Sequence, residues 1–171
     1  MNKKIVPLFA ILLAFAMMFS ACDSGNGGNT KKEENEKLQK ASAVEIGDYL
    51  LRNLKFEDAL TKVDDDLFRE LYLIEKGAFE DGALYVSTYT SEEIAIIKLK
   101  EANSEELKKF KKIFEDRIEI QKMAFGVYRP EEVGKLDEAL IYCKGNTAIM
   151  VVSGDKKTAK ATIENFGKDE E

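Results

Sequence analysis

Glu92-Glu93-Ile94-Ala95-Ile96-Ile97-Lys98-Leu99 constrains the architecture more than any other run in the chain. It is short and rich in isoleucine, and it reads as a strand from Ile94 to Leu99. Strand side chains alternate between two faces. One face here carries Ile94 and Ile96, the other Ala95, Ile97 and Leu99. A sheet with one wet face would alternate apolar and polar positions, so this strand needs cover on both sides. Ala148 to Val152 is also apolar on both faces. The cover could come from the N-terminal helices, a second copy or a partner; the first is the least demanding.

Working outward, Ala83 to Thr88 reads as the strand before it. Glu80-Asp81-Gly82 is a turn, and the Thr90-Ser91 region closes a hairpin. Upstream, Val44 to Leu54 carries Tyr49, Leu50, Leu51 and Leu54 at helical spacing despite Gly47. Leu67 to Tyr72 reads as a second short helix with Asp64 or Asp65 as N-cap. Downstream, Asn103-Ser104-Glu105-Glu106 opens the longest helix. Leu107, Phe110, Phe114, Ile118 and Phe125 form its apolar stripe, widened by Ile113 and Ile120, and Gly126 is its terminator. Pro130 starts a short turn through Leu136. Ala139 to Cys143 and Thr147 to Ser153 form a second hairpin around Lys144-Gly145-Asn146. Asp155 caps a final helix with Ala159, Ile163 and Phe166 on one face.

The order is α-α-β-β-α-β-β-α. It predicts an α+β domain with an antiparallel sheet of about four strands in two hairpins. The long central helix and the C-terminal helix are expected on one face, with the N-terminal helices covering the other.

Composition narrows the chemistry. The chain has 171 residues, 44% hydrophobic and 34% charged, which is one domain's worth of core. Twenty-six basic against 32 acidic residues argue against nucleic acid as a partner. There is no His, so Ser/His/Asp and Cys/His catalysis is excluded and the commonest metal ligand is missing. There is no Trp for stacking on sugars. Two Cys rule out a disulfide-rich scaffold.

The N-terminus reads as an export signal, residues 1–21. Lys3 and Lys4 precede Ile5 to Phe19, 15 residues without a polar side chain. That is short for a membrane span, which needs roughly 20, and suits a secretory segment. Phe19-Ser20-Ala21-Cys22 then resembles the lipobox of bacterial lipoproteins, with Phe19 where Leu is usual. The resemblance implies a diacylglyceryl thioether on Cys22 and cleavage by signal peptidase II between Ala21 and Cys22. Residues 22–41 are polar with one Leu, and read as a flexible tether. Its charges cancel, so the net −8 left once Lys3 and Lys4 are removed falls in the domain, 42–168. Anionic headgroups would repel that domain, which is expected to stand off the membrane.

The lipobox, Glu92 to Lys98, Tyr128-Arg129-Pro130-Glu131-Glu132, and Lys144-Gly145-Asn146 with Val151-Val152-Ser153 together resemble the domain-of-unknown-function family 4358. The resemblance implies a small lipoprotein on the outer face of the single membrane of a Gram-positive bacterium of the clostridial kind. It brings no activity, because the family's function is unassigned.

Several residues are candidates for chemistry. A carboxylate-dependent hydrolase of envelope material would draw on Glu92, Glu93, Asp116, Glu119, Glu131 and Glu132. Asp64-Asp65-Asp66 could suggest calcium but fits a helix cap better, since no EF-hand loop follows. Cys143, alternating with Ile141, reads as a small buried hydrophobe without a disulfide partner. Lys108, Lys109, Lys111 and Lys112 read as a solvated helix face paired with Glu105, Glu115 and Asp116, for example Glu105 with Lys109 and Lys111 with Glu115. Tyr128 and Arg129 are of the type that anchors interfaces. Against that, the Pro130 turn accounts for the local sequence with Tyr128 packed on the core. Tyr85 and Tyr89 are expected on one strand face near Tyr142. The reading is a membrane-anchored, non-enzymatic binding or accessory module for a protein or peptide ligand, with no metal or cofactor. A hydrolase and a self-associating structural protein are the alternatives.

Overall fold

A computed structural model describes residues 36–168. Cys22, Ala21 and the export segment lie outside the described residues. Helical residues 36–40 (α1) lead into α2 (Ala43–Asn53), β1 (Thr61–Lys62), α3 (Asp65–Tyr72), β2 (Asp81–Val86) and β3 (Glu93–Lys98). Then follow α4 (Ser104–Tyr128), a 3-10 turn (Pro130–Glu132), α5 (Val133–Asp137), β4 (Leu140–Lys144), β5 (Thr147–Val152) and α6 (Lys156–Glu164). The five strands form one antiparallel sheet in the order β1-β2-β3-β5-β4. The α+β class, the antiparallel hairpins and the long central helix agree with the sequence reading. The two-residue β1 is the addition, pairing Thr61 with Val86.

β3 lies at the centre, and all six of its residues are buried. Ile94 sits between Tyr85 and Val151, Ile96 between Ala83 and Ile149. These side chains meet α2 and α6 through Ile46, Leu50, Ala159 and Ile163. Ala95, Ile97, Met150 and Val152 point the other way, into Phe68, Tyr72, Phe110, Phe114 and Leu136 of α3, α4 and α5.

The assignment of helices to faces is therefore corrected. α6 packs beside α2 rather than beside α4, and α3 joins α4 rather than α2. The physical reason is occupancy. α4 already runs across β4 and β5, so the apolar surface left to α6 is the opposite face, at Leu140, Ile149 and Val151.

Local chemistry fixes each helix. Ser42 and Glu45 form a reciprocal capping box on α2, and the Asp81 carboxylate accepts from Ala43 N at 2.6 Å. Gly47 is required inside α2, because a Cβ there would lie 2.3 Å from the Tyr85 ring. Asp64 caps α3 by accepting from Leu67 N at 2.8 Å. Asn103 caps α4 through Glu105 N and Glu106 N. α4 continues through Gly126 to Tyr128, so Gly126 does not terminate it.

The tether boundary also moves. Residues 36–40 are helical and Leu38 is buried in the core. Lys98, buried at the end of β3, donates to the carbonyls of Leu38 (3.1 Å) and Gln39 (2.9 Å). A cation at a helix C-terminus meets carbonyls that have no helical partner. Burial lowers the Lys98 pKa, and Asp81, Glu45 and Glu80 partly offset that.

Candidate binding surface

The β2–β3 hairpin loop, Ser87 to Glu92, is built from side-chain hydrogen bonds. Ser87 Oγ donates to Asp58 Oδ2 (2.6 Å) and accepts from the backbone N–H groups of Tyr89 (2.9 Å) and Thr90 (2.7 Å). The Ser87 contact holds the Asp58 carboxyl below its ordinary pKa. Arg129 Nη1 donates to the Tyr89 carbonyl. The main chain of Tyr89 is thus held at both its N–H and its C=O, while its side chain is 70% exposed.

Beneath the loop lie two buried acids. Glu92 accepts from Glu57 N (2.8 Å), Asp58 N (3.1 Å) and Thr90 Oγ1 (2.9 Å). Glu132 accepts from Ser91 N (2.8 Å), Ser91 Oγ (3.0 Å) and Lys135 Nζ (3.2 Å). Lys135 also reaches Glu57 at 2.6 Å and Glu92 at 3.9 Å. Burial alone would raise the Glu132 pKa. The Ser91 hydrogen bonds and Lys135 outweigh it, and the net shift is downward.

Glu93 points to the opposite face. It accepts from Tyr72 OH, Arg117 Nη2 (2.8 Å) and Gln121 Nε2 (2.6 Å). Burial, reinforced by Glu93, holds the Tyr72 hydroxyl proton well above its ordinary pKa.

The six hydrolase candidates therefore fall into two groups. Glu92, Glu93 and Glu132 are buried and partnered, and the first two face opposite ways. Asp116, Glu119 and Glu131 are exposed and paired with Lys112, Lys122 and Arg129. Glu92 and Glu132 converge from the interior on Lys135, which is partly exposed.

The candidate aromatic residues also divide. Tyr85 is buried under α2, donating to Asp48 Oδ1 at 3.1 Å, and Tyr142 is half-buried. The expectation that Tyr85 and Tyr89 share a strand face is corrected: β2 ends at Val86, and the Ser87 turn breaks the alternation. Tyr128 is 84% exposed rather than packed on the core. With Arg129 bonded to the Tyr89 carbonyl, Tyr128, Arg129 and Tyr89 share one region.

That region extends along α4. Gln121 pairs with Glu93, the first residue of β3, so the turns beyond it project past the end of the sheet. Met123 and Val127 are exposed there, and Ile120 is exposed one residue before Gln121. Their i, i+3, i+7 spacing was visible in the sequence as a second apolar stripe, and Met123 and Val127 were missed. The opposite pole holds α1, fixed by Lys98 at the far end of β3. The two poles are separated by the length of a six-residue strand, about 20 Å.

A cleft of about 690 Å³ also lies beside α1, between α2 and residues 166–167. Tyr49 and Phe166 meet edge to face on its wall at 5.0 Å, flanked by Lys37, Lys40 and Arg52. These residues are distant in sequence, and no local motif announces them.

Other expectations find their places. Lys111 pairs with Glu115 at 3.5 Å, and Lys108, not Lys109, takes Glu105 at 2.7 Å. Cys143 is exposed near the end of β4, correcting its reading as a buried hydrophobe. Among the described residues, no group of three or more Cys, Asp or Glu could hold a metal ion. No described helix is long and apolar enough to cross a membrane.

No curated protein and no solved structure matches the chain. A family profile matches residues 52–153, which include all five strands and α3 to α5. More than half of the chain lies in that match, and the chain belongs to the family described as Domain of unknown function (DUF4358).

Proposed function

We propose that this chain is a lipid-anchored extracytoplasmic lipoprotein whose domain binds a partner without catalysing a reaction. The observation that carries the binding reading is the contrast at the hairpin pole. Glu92, Glu93 and Glu132 are held by partners in the interior, while Tyr89 and Tyr128 stand exposed on either side of Arg129. An acid needed for proton transfer must reach substrate, and these three do not reach solvent. Exposed tyrosines on a fixed backbone suit recognition, because little conformational freedom is lost on contact.

The anchor reading rests on Lys3-Lys4, the apolar run Ile5 to Phe19, and Ser20-Ala21-Cys22. Signal peptidase II would cut before Cys22, and the lipid would hold the chain on the outer face of a Gram-positive membrane of the clostridial kind. Each buried CH₂ contributes about 0.8 kcal/mol, so two acyl chains hold where one is marginal. The hairpin pole lies at the opposite end of β3 from α1, and would face outward from the membrane.

Two arms test the proposal. In cells fed an alkyne fatty acid, the native chain should label and Cys22→Ser should not; equal labelling sinks the anchor. A photo-crosslinking amino acid at position 128 should give a defined adduct that the same residue at position 160 on α6 does not. Indistinguishable adducts at both sites, or none at either, sink the binding surface.

A further inference from the structure

We infer that the overhanging end of α4 docks an amphipathic helix of another protein, one whose apolar stripe is flanked by Lys or Arg. The inference rests on the binding reading above and names the chemistry of the partner. α4 has 25 residues, about 37 Å, against about 20 Å for the six-residue β3. The last two turns therefore have no strand beneath them. They carry Met123, Val127 and Tyr128, exposed by 68%, 74% and 84%, and Ile120, just before them, is 47% exposed. Ile120, Met123 and Val127, at i, i+3 and i+7, make one exposed apolar stripe that a single helix can cover, ended by Tyr128 and by Arg129, which holds the Tyr89 carbonyl.

The rim selects the occupant. Glu119 and Asp137 share one cation, Lys122, at 3.1 and 2.9 Å. Arg129 is already paired with Glu131 at 3.0 Å, and Glu138 is exposed. Two acids sharing one cation, Glu119 and Asp137 with Lys122, leave that flank of the stripe net negative. A second copy would set two acidic rims against each other. An anionic lipid surface would be repelled as well, and it lies toward the α1 pole if the chain is anchored. A helix bordered by basic residues satisfies both the apolar stripe and the acidic rim.

The test uses the full chain in the cells that express it, with a photo-crosslinking amino acid at position 127 and the crosslinked segment sequenced by mass spectrometry. The expected segment has apolar residues at i, i+3, i+4 and i+7 and an excess of Lys and Arg. Glu119→Lys combined with Glu131→Lys should lower the adduct yield by about threefold or more, through weakened rim attraction. An adduct to a second copy, to phospholipid, or to a segment without basic excess overturns the inference. So does an adduct at position 89 or 128 with none at 127, which leaves the binding surface standing. No adduct at 89, 127 or 128 removes both.

Discussion

The two faces of the sheet are closed by different chemistry. Under α3 and α4 the core is aromatic: Phe68, Tyr72, Phe79, Phe110 and Phe114 meet ring to ring at centroid distances of 5.0 to 6.5 Å. Glu93, Arg117 and Gln121 close its end at the hairpin pole. Under α2 and α6 it is mainly aliphatic, with Ile46, Leu50, Ile94, Ile96 and Ile149, and one buried cation, Lys98, at the α1 pole. The family match carries the whole aromatic cover, whereas α6 and most of α2 lie outside it. The aromatic face also owns the long helix. Its C-terminal end is the surface proposed above for binding, while the aliphatic face packs α2 and α6 and, through Lys98, holds α1.

The sharpest way to break this contrast is in the aromatic core. Phe114→Ala should destabilise by about 3–5 kcal/mol in urea unfolding, through lost burial and a residual cavity. A loss below about 1 kcal/mol would mean that the rings are not a packed unit.

Acid titration comes next. The Glu132 pKa is lowered in the fold, so its contribution is present above the unfolded value, about 4.3, and is lost as pH falls through the folded value. Unfolding followed from pH 7 to pH 3 should show stability falling over the acidic part, with a shallower fall in Glu132→Gln. Parallel curves would contradict the assignment.

On the other face, Lys98→Met should cost about 1–2 kcal/mol. It removes a charged donor to two carbonyls but replaces a desolvated cation by an apolar chain of similar length. Protease cutting within 36–41 should rise in parallel; unchanged cutting would separate Lys98 from the holding of α1. The smallest effect belongs to the overhang. Val127→Asp should leave thermal stability within about 0.5 kcal/mol, as for an exposed surface position. A large loss would show that the stripe packs within the domain.

Much of the fold was legible because both-sided apolarity of Ile94 to Leu99 and Ala148 to Val152 demands two covering layers. Which helix covers which face was not legible. Periodicity shows that Ala159 and Ile163 pack, but not against what. Leu38 was hidden for a related reason: a single leucine in a polar segment carries no period, and it packs in a core cluster drawn from across the chain, with its carbonyl held by Lys98, 60 residues away. The candidate surface was half legible. Tyr128 and Arg129 stood out by residue type, and Tyr89 was grouped with Tyr85 by a strand alternation that Ser87 breaks. The burial of Glu92 and Glu132 could not be read locally, because their partners at Glu57 and Ser91 come from other parts of the chain.

The central claim is that the acids beneath the hairpin build the surface and do no chemistry on it. Equilibrium unfolding of Glu92→Gln tests it most directly. The substitution keeps the side chain's shape but weakens its acceptance from Glu57 N, Asp58 N and Thr90 Oγ1, so a loss of about 1–3 kcal/mol is expected. A variant as stable as the parent, or more stable, would mark Glu92 as an acid held at a cost for function, and would contradict the account.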